Sequence, residues 1–148
     1  MKIILATDGS KGSQRAAKWL QDWPGRPASC EIVVVHVVKP LAYWFVPLPG
    51  SAPVRASTAA MEQIGERARE DGQALVDRIA EELAGVCTAR GVLAEGHPQD
   101  ELIKLAKAEE ADLIVMGRRG LGPVGGIVMG SVTQRVLHQS KVPVMVVP

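Results

Sequence analysis

The sequence predicts an α/β fold, a three-layer α/β/α sandwich around a doubly wound, parallel, five-stranded sheet. Three observations carry that expectation. Five short apolar runs rich in branched residues recur along the chain, and stretches of helical period separate them. Four of those runs lack the period-two alternation of a half-exposed strand, which suits strands covered by helices on both faces. Their order, β-α-β-α-β-α-β-α-β, is that of parallel strands joined by right-handed crossovers.

The first strand is Ile3 to Ala6, and Ala16, Ala17, Leu20 and Trp23 then form a helical stripe that Pro24 and Gly25 end. The second strand is Ile32 to Val38. A long helix starts near Ser57, where Ile64, Ala68, Leu75, Ile79, Leu83 and Val86 recur at helical steps. It is expected to run to near Gly91, roughly 33 residues and about 50 Å, with Gly65, Gly72 and Gly85 weakening it locally. Val92 to Ala94 makes the third strand. The third helix follows Pro98 through Leu102, Ile103, Leu105, Ala106 and Ala108, and Leu113 to Met116 is the fourth strand. A fourth helix begins at Ser131 with Val132, Val136 and Leu137, and the last strand is Val142 to Val147, bounded by Pro143.

Residues 39–57 break this pattern with four prolines and three of the chain's five aromatics, Tyr43, Trp44 and Phe45. Two readings stand: an ordered surface loop with its rings tucked against the fold, or a lid or partner-docking loop.

A chain of 148 residues with a 47% hydrophobic share fits one domain over residues 1–148 with a substantial core. Lys and Arg number 17 against 16 Asp and Glu, so the net charge of +1 gives no basic footprint for nucleic acid. Cys30 and Cys87 stand far apart in sequence without metal-ligand spacing and read as buried thiols of a reducing compartment. The apolar run Ile3 to Ala6 is too short for a secretory signal or a membrane span, so a cytoplasmic location is expected.

In an open parallel sheet, ligands bind beyond the carboxyl ends of the strands where the winding reverses. The polar and glycine signals concentrate at two such ends. Thr7-Asp8-Gly9-Ser10-Lys11-Gly12-Ser13 follows the first strand, and six of the 15 glycines lie between positions 117 and 130 after the fourth. Glycine-rich backbone leading into a helix start turns amides and a positive dipole end toward one point, which favours an anion such as a phosphate chain. Neither GxxxxGK[ST] nor GxGxxG is present, so neither a P-loop nor a dinucleotide site is supported.

The pattern that is present is G-x2-G-x9-G-S, fixed by Gly117, Gly120, Gly130 and Ser131. It stands in register with Ala6-Thr7-Asp8-Gly9-Ser10 after the first strand, His36-Val37 in the second, Ile114 to Gly117 in the fourth and Val142-Pro143-Val144 opening the last. Over its whole length the chain resembles the ATP-binding branch of the universal stress protein family. The resemblance implies a Rossmann-like, adenine nucleotide alpha hydrolase-like fold. It implies that Ala6, Thr7 and Asp8 lie beside the adenosine, with Asp8 on the ribose, that Val37 frames the adenine, and that Met116 and Gly117 line the same pocket. Gly120, Gly130, Ser131 and Val132 would hold the triphosphate, with Arg119 placed to add charge, and ATP, with or without Mg2+, would be the cofactor. It further implies a homodimer through the last strand, whose apolar edge is otherwise exposed.

Plainer roles stand beside these. Asp8 also suits a helix cap, and Ser131-Val132-Thr133-Gln134 reads as a capping box. Either Arg118 or Arg119 faces phosphate, or both are solvated. His36 reads as a packed, hydrogen-bonded core histidine, and His97 and His138 have no metal-ligand neighbours. The function that follows is a nucleotide-dependent switch or binding module in the stress response, with at most slow ATP hydrolysis, because no general base is evident beyond Asp8. A dimeric interaction protein without turnover, docking an unknown protein partner through residues 39–57, is the alternative. An adenylyl-transferring enzyme lacks its HxGH or SGGxDS signature.

Overall fold

Strands β1 (Lys2–Ala6) and β4 (Leu113–Gly117) are apolar nearly throughout because both of their faces are roofed by helices. The computed structural model describes residues 1–27, 29–40, 58–121 and 129–148. The other elements are α1 (Lys11–Asp22), β2 (Glu31–Val38), α2 (Thr58–Ala84), β3 (Thr88–Glu95), α3 (Pro98–Ala108), α4 (Ser131–Gln139) and β5 (Val144–Val147). All strand pairs are parallel, in the order β3-β2-β1-β4-β5. The chain therefore winds outward from β1 to one edge, returns to β4 and winds to the other. The reversal falls between β1 and β4.

Two apolar layers follow from strand alternation. Ile3, Leu5, Ile32, Val34 and Val115 face α1 and α2, where Ala16, Leu20, Val76, Ile79 and Leu83 are buried. Ile4, Ala6, Val33, Val35, Ile114 and Met116 face α3 and α4, against Leu102, Ala106 and Val136. The stacked pair Trp19 and Trp23, with ring centroids 5.2 Å apart, packs beside the first layer. This is the three-layer sandwich that the apolar runs predict. Among the described residues no helix is long and apolar enough to cross a membrane.

The structure corrects three expected boundaries. The long helix stops at Ala84 and not near Gly91, and β3 begins at Thr88 and not at Val92. The Leu83 carbonyl accepts from both Val86 and Cys87 amides at 3.0 Å, closing the helix in a tight turn. Beyond it the strand is an edge strand, so Thr88 and Arg90 point to solvent, and their polarity hides the strand from a search for apolar runs. Gly91 lies in this strand beneath α2, where an added Cβ would stand 2.7 Å from Val76 Cγ2. At the other edge β5 starts at Val144 and not at Val142, because the Ser140 hydroxyl accepts from the Val142 amide and holds that residue in a turn.

Candidate functional site

The chain end of β1 and the chain end of β4 lie side by side at the point where the winding reverses. From β1, Thr7 remains in the sheet, its amide bonded to the Val35 carbonyl at 2.9 Å. Its hydroxyl accepts from the Gly9 amide at 3.3 Å and donates to Ser13 Oγ at 3.2 Å, and Ser13 Oγ donates to the Ser10 carbonyl at 3.0 Å. This buried hydroxyl chain fixes the turn into α1. Asp8 does not cap that helix, as one of the two sequence readings would have it. Ser10 does, accepting from the Ser13 amide at 3.3 Å. Asp8 is left to accept from the Ser10 amide at Oδ1 and from the Leu121 amide at Oδ2, both at 3.0 Å. Its carboxylate thereby ties the start of the glycine-rich stretch to the end of β1.

From β4, Met116 and Gly117 are buried, and Gly117 meets α1 backbone to backbone. A Cβ on Gly117 would lie 2.6 Å from the Gly12 carbonyl oxygen and 2.9 Å from the Ser13 amide nitrogen. Gly12 in turn backs onto the Arg119 carbonyl, and a Cβ on Gly120 would run into the Asp8 carboxylate. The start of α4 is held to the same strand end. Gly130 donates its amide to the Arg118 carbonyl at 2.9 Å, and Thr133 Oγ1 donates to the Gly117 carbonyl at 3.1 Å. The expected capping box does not form. Gly130 occupies the cap position, with φ −64° and ψ 146° and no side-chain bond, and Ser131 is the first helical residue. Thr133 is used for the tie to β4, so its neighbour Ser131 stays exposed.

All eleven residues singled out from the sequence, Ala6, Thr7, Asp8, Val37, Met116, Gly117, Arg119, Gly120, Gly130, Ser131 and Val132, line one cleft of about 1560 Å³. Its walls are of two kinds. Toward α4, the amides of Ser131, Val132 and Thr133 are first-turn donors that the helix cannot pair, at its positive dipole end, with Arg119 on the same lining. Ala6, Val37 and Met116, from the ends of β1, β2 and β4, give the lining an apolar part. The arrangement can hold an anionic group at one end and a flat apolar group at the other.

Sequence reasoning missed part of the lining. His36 is the hydrogen-bonded histidine it expected, with Nδ1 donating to the Thr7 carbonyl at 2.9 Å, yet it also borders the cleft. Met61, Ile64, Gly65 and Ala68 of α2 close the far side. The exposure of Ile64, 56% on a helix otherwise read as core-facing, is the signal that marks that face. Tyr43, Trp44 and Phe45, and Gly122 to Gly126 of the glycine-rich stretch, lie outside the described residues. Among the described residues no three His, Cys, Asp or Glu side chains gather as a metal site.

Comparison with known proteins adds to this geometry. A model of the universal stress protein family matches residues 1–148. A universal stress protein of Thermus aquaticus is 34% identical over 145 residues, covering 98% of this chain and 96% of its own. A solved structure from Methanocaldococcus jannaschii, described as a structure-based assignment of biochemical function, has a TM-score of 0.82 at 24% identity and covers 99% of this chain and 94% of that one. An Arabidopsis thaliana protein of the universal stress protein family, solved with AMP bound, has a TM-score of 0.68 at 19% identity, covering 99% and 90%.

Proposed function

Because this chain belongs to the universal stress protein family, we propose that its cleft binds an adenine nucleotide, ATP foremost, and that it acts as a nucleotide-dependent switch or binding module in the stress response. The observation that carries the reading is the placement of Gly117, Gly120, Gly130 and Ser131 around the same cleft as Asp8 and Val37. Phosphates sit against the free amides of α4, that of Val132 among them, and the Ser131 hydroxyl, the ribose meets Asp8, and the adenine lies among Ala6, Val37 and Met116. The AMP bound by the Arabidopsis relative supports this class of ligand.

Any Mg2+ would be carried by the phosphates and would keep most of its water, as this ion commonly does. Hydrolysis is slow at most. A rapid phosphatase needs a group that orients the attacking water, and both Asp8 oxygens already accept backbone amides. The protein works as a single cytoplasmic domain and as a homodimer. Strand β5 pairs with β4 on one side only and offers its other side to a second copy.

Equilibrium binding of labelled ATP to the parent and to Gly130→Val tests the reading. An added Cβ at Gly130 would stand an ordinary 3.4 Å from its nearest atoms, so the position admits a side chain, which crowds the phosphate end. Loss of affinity in the variant is expected; equal affinity in both, or no binding by the parent, overturns the assignment.

A further inference from the structure

At the opposite end of the sheet from the cleft, Cys30 and Cys87 form a pair that nucleotide binding does not use. They stand immediately before β2 and β3, whose register sets Glu31 opposite Thr88, so the two cysteines are lateral neighbours in the next row. The Thr88 amide bonds to the Cys30 carbonyl at 3.1 Å and locks that row. Paired strands lie about 4.8 Å apart, within the range of Cα separations that a disulfide spans. Both side chains point to the same face, in the layer beneath α2 with Ile79, Ala80 and Leu83. Both are buried, at 4% and 8% exposure.

We propose that Cys30 and Cys87 are a reversible dithiol–disulfide site that staples edge strand β3 to β2 when the protein meets a peroxide. Cys87 lies in the tight turn that ends α2, beside exposed Gly85 and Thr88, and is the thiol that a small oxidant reaches first. Peroxide transfers one oxygen to Cys87, giving a sulfenic acid and one water. The Cys30 sulfur then displaces hydroxide from that sulfenic sulfur, its own proton leaves with the hydroxide as a second water, and the S–S bond closes. Two electrons pass from the two thiols to one peroxide.

Burial first, and then the hydrogen bond and proximity of the Cys87 sulfur, push Cys30 up to about 12. Cys30 is therefore a poor first nucleophile toward oxidant, and reacts because its partner is held against it.

Hydrogen peroxide applied to the folded full chain, followed by alkylation and a non-reducing tryptic map, tests the site. The expected product joins the peptides spanning 19–55 and 79–90 within one chain, lighter by two hydrogens and released by dithiothreitol, and the oxidised protein melts several degrees higher. Cys30→Ala is expected to lose the crosslink and to carry Cys87 on to sulfinic acid. Sulfinic or sulfonic Cys87 in the parent without a crosslink, or disulfides only between chains, overturns the proposal, and the map of the parent decides even where the variant fails to fold.

Discussion

Asp8 Oδ2 accepts the amide of Leu121, a residue 113 positions further along the chain, at 3.0 Å. One carboxylate thus joins the first turn of the fold to the stretch that follows β4. Replacing it with asparagine leaves a single, neutral acceptor where two amides converge. Asp8→Asn is expected to lower stability by about 1.5–3 kcal/mol, the worth of a charge-assisted bond, and to weaken ATP binding about tenfold. Urea midpoints and a binding titration on the same preparation read both effects.

Gly117 and Gly85 make opposite predictions. A methyl group at 117 has backbone on its far side, 2.6 Å from the Gly12 carbonyl oxygen, and backbone does not yield as a flexible side chain does. Gly117→Ala is expected to cost about 2–3 kcal/mol. Position 85 has nothing within 4 Å of an added Cβ and no positive φ. There alanine is expected to add about 0.4–1 kcal/mol by restricting the unfolded chain. Thermal melts of the two variants must move in opposite directions.

Ser131 occupies the first position of α4, and no capping bond depends on it. An aspartate there faces the positive end of the helix and costs the fold nothing, gaining about 0.3–1 kcal/mol. The same charge meets the phosphates. Ser131→Asp is expected to melt no lower than the parent yet to lose ATP affinity at least as much as Asp8→Asn does. A variant that binds ATP as the parent does would remove the phosphates from this helix end.

Far from the cleft, Arg90 at 2.6 Å and Lys2 at 3.2 Å hold Glu109, with the Arg90 hydrogen bond foremost in pulling its carboxyl below the usual carboxylate range. A carboxyl lowered in the folded state stabilises that state at pH above its unfolded value, about 4.3. The contribution is lost as pH falls through the lower, folded value. The pairs are partly exposed, so Glu109→Gln is expected to cost under about 1 kcal/mol at neutral pH. The two proteins should converge in stability in acid and in high salt, as denaturant curves across pH will register.

The parts of the fold legible in the sequence are those where burial is complete. Ile3 to Ala6, Ile32 to Val35 and Leu113 to Met116 advertise a covered parallel sheet because every position along them is buried. The edge hides itself: Thr88 and Arg90 are strand residues whose side chains leave the sheet, and helical spacing read through Gly91 instead. Of the eleven residues at the cleft, Gly117, Gly120, Gly130 and Ser131 are legible as the fixed points of a motif at strand and helix ends, and the other seven follow from the family resemblance. What those residues bond to is not legible. The Asp8 to Leu121 tie and the Thr133 to Gly117 tie join positions distant in sequence, and no local pattern encodes either. Ser131 reads as a cap in the sequence, but Gly130, one residue earlier, takes the extended conformation that a cap needs.

The contact of Gly12 with Gly117 has a consequence for how this scaffold can diverge. A floor made of main chain offers selection no side chain to exchange, and replacing either glycine costs stability. The apolar wall is different, since Val37, Val132, Met61 and Ile64 touch the cleft while only partly serving the core. A library randomised at those four positions should yield descendants with altered taste for the base, all still gripping the same anionic tail.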